Sequence, residues 1–118
     1  MRVLVLGASQ NPQRYSNMAM KDLQYFKHTV IAVGRKTGEV QGMRIVTDFP
    51  QDEKVDTVTV YLNERNQEPY IEAIKNIRPN RVIFNPGAEN RSFYRELEAI
   101  GIESINACTL VMLRTNQF

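Results

Sequence analysis

Arg2-Val3-Leu4-Val5-Leu6-Gly7-Ala8-Ser9, running on through Gln10-Asn11-Pro12-Gln13-Arg14 to the segment Tyr15–Leu23, is the stretch whose reading decides the fold. A short β-branched run that ends in Gly and passes through Ser, Asn and Pro into an amphipathic segment reads as a strand, a phosphate-cradling loop and a helix. Ser16 is the expected N-cap, with Met18, Met20, Leu23 and Phe26 supplying the inward side of the helix. Such a helix points its free N–H groups and its positive dipole end back at the loop, so an anionic ligand fits there.

The rest of the chain repeats the alternation. After a helix over Ser16–Lys27, Thr29–Val33 reads as a second strand, parallel to the first and adjacent to it because a helix connects them. It is closed by Gly34-Arg35-Lys36-Thr37-Gly38. Gln41–Val46 gives a turn and a brief, charged third strand, expected at a sheet edge. Thr57–Leu62 is β-branched and expected to be central, and Gln67–Ile77 carries Tyr70, Ile71, Ile74 and Ile77 at helical spacing up to the stop at Pro79. Arg81–Phe84 is a fifth strand, Asn90–Ile100 a helix with Gly101 at its C′ position, Ile102–Ile105 a last short strand, and Asn106–Arg114 a final helical turn. The expected architecture is α/β, a doubly wound parallel sheet in a single three-layer domain over residues 1–118.

Length and composition agree with one core. At 118 residues there is no room for a second, substrate-holding domain, and a formal charge of +2 is too small to argue for nucleic acid or a membrane surface. One cysteine and one histidine exclude a disulfide framework and argue against a metal centre. No apolar run approaches the ~20 residues of a bilayer span. The expectation is a cytoplasmic protein with a reduced thiol.

A doubly wound sheet binds its ligand at the carboxyl ends of its strands, where strand order reverses. Those ends carry Gly7-Ala8-Ser9, Gly34-Arg35-Lys36, Leu62-Asn63 and Asn85-Pro86-Gly87-Ala88. Gly7 allows a positive φ and a close backbone approach, and Ser9 offers a hydroxyl to a phosphate oxygen. The loop is neither a GxGxxG fingerprint nor a P-loop. Arg14 lies within the loop, in reach of a pyrophosphate or of solvent. NAD-binding domains place an acidic residue after the second strand, whereas this chain has Arg35 and Lys36, which favour a phosphorylated ribose as in NADP or coenzyme A. Catalytic groups are scarce: His28 sits at the far end of the sheet, Glu89 opens a helix, and Cys108 reads as a buried apolar thiol.

Together, Val5-Leu6-Gly7-Ala8-Ser9, Tyr15-Ser16-Asn17, Val30-Ile31-Ala32-Val33-Gly34, Gly42-Met43-Arg44, Val55-Asp56-Thr57-Val58, Asn85-Pro86-Gly87-Ala88-Glu89-Asn90 and Asn106-Ala107-Cys108-Thr109 carry a more specific likeness. The chain resembles the small CoA-binding family, stand-alone Rossmann-like domains similar to the N-terminal domain of the succinyl-CoA synthetase α subunit. The resemblance implies that Gly7, Ala8 and Ser9 hold the CoA diphosphate, with Arg14, Ser16 and Asn17 in the variable segment beside it. It places Gly34, Arg35 and Lys36 near the adenosine phosphate, where the family has an Asn-Pro-Lys-like turn. Leu62 and Asn63 fall where the fourth strand end meets the nucleotide. Pro86, Gly87 and Ala88 replace a longer Gln-Gly-containing turn, and Cys108 matches a cysteine common near the family's C-terminus. The phosphohistidine loop of the synthetases is absent. The expected function is binding of coenzyme A or an acyl-CoA without catalysis, the thioester being regulated or delivered through a partner; a homodimer through a sheet face or edge is left open. The rival is an NADP-linked oxidoreductase or another NAD(P)-binding domain, for which the chain offers no Tyr-x-x-x-Lys pair. A domain that keeps the sheet and has lost its ligand is the third reading.

Overall fold

Seven strands and five helices account for the computed structural model, which describes residues 1–118. They are β1 (Arg2–Leu6), α1 (Tyr15–Tyr25), β2 (Thr29–Val33), β3 (Gly38–Val40), β4 (Met43–Val46), β5 (Thr57–Val60), α2 (Glu64–Gln67), α3 (Ile71–Ile77), β6 (Arg81–Phe84), α4 (Arg91–Ala99), β7 (Glu103–Asn106) and α5 (Thr109–Arg114). The sheet order is β3-β4-β2-β1-β5-β6-β7, parallel throughout except for β3, which pairs antiparallel with β4. Leaving out β3, the order is that of the doubly wound dinucleotide-binding sheet, and the direction in which successive strands are added reverses between the parallel neighbours β1 and β5.

Side-chain alternation along β1 explains the three layers. Val3 and Val5 face a cluster containing Met20 and Leu23 of α1 and Leu113 of α5. Leu4 and Leu6 face the opposite cluster, with Ile74 of α3 and Phe93 and Leu97 of α4. An uninterrupted aliphatic run is therefore required, since both faces of the strand are covered.

Several sequence expectations need correction. Ser16 is not the N-cap of α1: Arg14 holds that position with extended backbone and no side-chain cap, and Ser16 is buried inside the first turn. The third expected strand, now β4, is not at the edge, because Gly38–Val40 folds back beside it through a hairpin whose central residues Gln41 and Gly42 both have positive φ. The turn itself was expected; the strand leading into it was not, because Gly38-Glu39-Val40 is only three residues long and begins with Gly. β5 stops at Val60, so Tyr61 and Leu62 belong to the loop beyond it. The helix expected over Gln67–Ile77 starts earlier, where Asn63 caps the Asn66 N–H at 3.0 Å, and is broken by a 3₁₀ turn at Glu68–Tyr70 that accommodates Pro69.

Helix endings show where sequence and backbone conflict. α4 closes with Gly101 at φ +82, its N–H donating to the Glu98 carbonyl and the Ile102 N–H to Leu97, a Schellman arrangement. α1 closes in the same way, with Lys27 and His28 N–H groups donating to Gln24 and Leu23, but the left-handed position is Lys27, at φ +71. Lys27→Gly is accordingly expected to raise stability by about 0.5–1 kcal/mol, read as a higher urea midpoint at unchanged slope.

Candidate functional site

A cleft of about 980 Å³ lies at the carboxyl ends of β1, β2, β5 and β6. One wall is the β1–α1 loop, one the turn after β2, and the third the loops after β5 and β6. Gly7 sits at φ +96, and a Cβ there would lie 3.1 Å from the Leu62 side chain and 3.3 Å from the Tyr61 carbonyl carbon, so the first loop turns tightly against the loop after β5. The loop then crosses the end of β2. Gly7 and Ala8 N–H groups both donate to the Val33 carbonyl, at 2.9 and 3.0 Å.

That crossing changes which amides face a ligand. The first two N–H groups of the glycine loop are already bonded within the protein, Asn11 N–H donates to Ser9 Oγ and Gln13 N–H to Asn11 Oδ1. The amides of Ser9, Gln10, Tyr15 and Ser16 have no protein acceptor. Ser9 Oγ, accepting from Asn11, keeps its own proton for donation. The donors left free at this loop are thus those of Ser9, Gln10 and the first turn of α1, while the Gly7 and Ala8 N–H groups are used in holding the loop to β2.

Of the residues singled out from sequence, Gly7, Ala8, Ser9, Arg14, Ser16, Arg35, Lys36, Leu62, Asn63, Pro86 and Gly87 line the cleft. Asn17, Gly34 and Ala88 stand behind its wall. Asn17 is 2% exposed and donates from Nδ2 to the Ser9 carbonyl at 2.9 Å, fixing the loop to α1. Gly34 lies under the Ala8 carbonyl. Ala88 is buried, and its carbonyl accepts from Gln67 Nε2 at 2.7 Å. Sequence reading missed Gln10, Asn11, Tyr15, Thr37, Tyr61 and Asn66, which also line the cleft. Gln10 reaches across to the hairpin, its Oε1 accepting the Glu39 N–H at 3.0 Å, and its side chain occupies the space a Cβ on Gly38 would need. Gly38 was the available signal for that close approach.

The electrostatics are one-sided. Arg14, Arg35 and Lys36 are exposed along the cleft, none is in a salt bridge, and no carboxylate lines it. Uncompensated cations beside free amides favour a polyanionic ligand. Tyr61 contributes to the cleft wall while its hydroxyl is buried without a hydrogen-bond partner; burial, with Cys108 nearby adding to it, pushes the phenol above its usual range against an opposing influence from Thr59 and Thr109. It stays protonated near neutrality. Beneath it, Thr59 and Thr109 hydroxyls meet at 2.8 Å, Asn85 Nδ2 donates to Thr59 Oγ1 at 2.7 Å, and Asn85 Oδ1 accepts the Thr109 N–H at 2.8 Å, tying the start of α5 to the end of β6.

His28, as expected, lies away from the cleft, edge-on to Phe118 with ring centroids 5.1 Å apart. Burial first, then the N-terminal ammonium and Arg81, hold it below the ordinary imidazole range. No group of His, Cys, Asp and Glu side chains is placed to hold a metal ion, and no helix is long and apolar enough to cross a membrane.

The fold and cleft define a doubly wound α/β domain with a crevice lined by cations at the topological switch point. The chain belongs to the CoA-binding domain family, whose model matches residues 1–114. A crystal structure of an uncharacterized protein superposes with a TM-score of 0.96 at 44% identity, over 99% of this chain and 97% of that one. A Thermus thermophilus protein, cell-free ID.343, follows at 0.87 and 22% identity over 99% and 90% of the two chains, a likeness of fold. The dinucleotide-forming acetyl-coenzyme A synthetase 1 of Ca. Korarchaeum cryptofilum, solved with phosphate and ADP, shares the fold at 0.72 and 16% identity over 90% of this chain and 25% of its own. No curated protein matches the chain.

Proposed function

We propose that the cleft binds coenzyme A or an acyl-CoA and does not transform it. The observation that carries this reading is the convergence of the free amides at Ser9, Gln10 and the start of α1 with Arg14, Arg35 and Lys36 on one crevice, in a chain of the CoA-binding domain family. In this reading the diphosphate lies on the β1–α1 loop and the 3′-phosphate of the adenosine between Arg35 and Lys36, as two separated anions require two separated donor sets. Binding without chemistry is supported by the side chains on offer, three cations, amides and hydroxyls, none suited to accept a proton near neutrality, the Tyr61 hydroxyl being buried away from the surface. The bound thioester is then regulated, or handed to a partner, in the manner of the CoA-binding domain of a succinyl-CoA synthetase.

Thermal shift against CoA, dephospho-CoA, NADP and NAD tests it. CoA at ~100 times its Kd is expected to stabilise the protein by about 2.7 kcal/mol, with dephospho-CoA and NAD well behind. A larger response to NADP than to CoA would reverse the assignment in favour of a nicotinamide-linked reading.

A further inference from the structure

The cleft has two chemically different halves. Arg14, Arg35 and Lys36 stand on the side of α1 and β2, whereas the side of β5 and β6 presents Leu62, Asn63, Asn66, Pro86 and Gly87, without a charge. On the CoA reading, the charged adenosine end belongs to the first half and the uncharged pantetheine arm to the second. That second wall is built from two loops whose strands stop pairing at Val60 and Phe84; Asn85 still bonds back to the Val60 carbonyl from its N–H at 3.3 Å and its Nδ2 at 2.9 Å, but past that point the strands no longer set the position of Leu62 against Ala88.

Gln67 does. It is fully buried, and its Nε2 donates to the Leu62 carbonyl at 2.9 Å in one loop and to the Ala88 carbonyl at 2.7 Å in the other. Its Oε1 accepts from Asn90 Nδ2 at 2.9 Å, and Asn90 Oδ1 accepts the Phe93 N–H at 3.1 Å, which starts α4. A buried amide is tolerated only when its donors and acceptor are all engaged, as they are here. Nothing in a single turn of helix calls for glutamine at this point; an apolar residue of similar length would fill the space and leave the Leu62 and Ala88 carbonyls without this shared donor.

We propose that Gln67, supported by Asn90, is a positioning residue that clamps the loops after β5 and β6 into one preformed wall for the uncharged arm of the ligand. The proposal rests on the CoA reading above, and its test separates the two. Isothermal titration with CoA and with adenosine 3′,5′-bisphosphate, which lacks the arm, is carried out on the wild type, Gln67→Met and Asn90→Asp, with thermal melting to confirm folding. Asn90→Asp keeps an oxygen for the Phe93 N–H, so α4 stays capped, while it sets a carboxylate against Gln67 Oε1. It carries the test should Gln67→Met fail to fold. CoA affinity is expected to fall ~10-fold in both variants, with the bisphosphate changed less than ~2-fold, because only the clamp to the second wall is lost. Equal losses for both ligands, or unchanged CoA affinity, overturn the clamp. A wild type that binds neither ligand overturns the CoA reading itself.

Discussion

Gly34→Ala is expected to lower the stability of the protein by about 3 kcal/mol, because a Cβ at this position overpacks a junction with no room to relax. The added carbon would sit 2.4 Å from the Ala8 carbonyl oxygen and 3.0 Å from Ile45 Cγ2. The first contact is with backbone that is itself pinned, since Gly7 and Ala8 N–H groups are held by Val33 and the Gly34 N–H donates to Val46 at 2.9 Å. A flexible side chain could swing aside; this loop cannot move without giving up its hydrogen bonds to the end of β2. Urea unfolding measures the loss. A comparison with Gly42→Ala isolates the cause, since Gly42 has only an unfavourable φ and open space around it. Equal losses at the two glycines would mean that the loop does not cross β2 at this distance.

The second large effect concerns binding. Arg35→Ala combined with Lys36→Ala is expected to weaken CoA binding about 100-fold, roughly tenfold for each charge-assisted contact to the 3′-phosphate. Dephospho-CoA, which lacks that group, is expected to bind the variant and the wild type alike. Stability should stay within about 0.5 kcal/mol, because both side chains are exposed and neither is paired. The salt dependence of CoA affinity should flatten in the variant as the exposed cations are removed. Parallel losses for CoA and dephospho-CoA would place the two cations on some other part of the ligand.

Much of this site was legible from the chain alone, and what was not has a common cause. Arg35 and Lys36 could be placed because a strand of known length ends at Val33, and whatever follows it must emerge at the ligand side. Gln10 and Tyr15 were missed because a loop of non-repeating residues carries no period from which to read a direction. The resemblance placed Gly7 and Ala8, with Ser9, in the loop beside the CoA diphosphate. The N–H groups of Gly7 and Ala8 bond to β2, where the Val33 carbonyl, at the end of a strand whose register with β1 runs Leu6 to Val33, would otherwise lack a partner, and no local pattern shows that. Gln67 was read as the opening residue of a helix, and only packing shows that its side chain is enclosed between two loops.

Alternating aliphatic strands and amphipathic helices, punctuated by Gly, Asn and Pro, determined by themselves that this protein is a doubly wound α/β domain with the carboxyl edge of its sheet at Gly7, Gly34, Asn63 and Pro86. These are local properties: hydrophobic period and turn chemistry act over a few residues and survive in any context that buries the same faces. Which amides remain free, which glycines serve as contact points, where the hairpin covers the edge and how two loops become one wall were decided only by the tertiary structure. Each of those depends on atoms brought together from distant parts of the chain, and no local pattern encodes a distance between them.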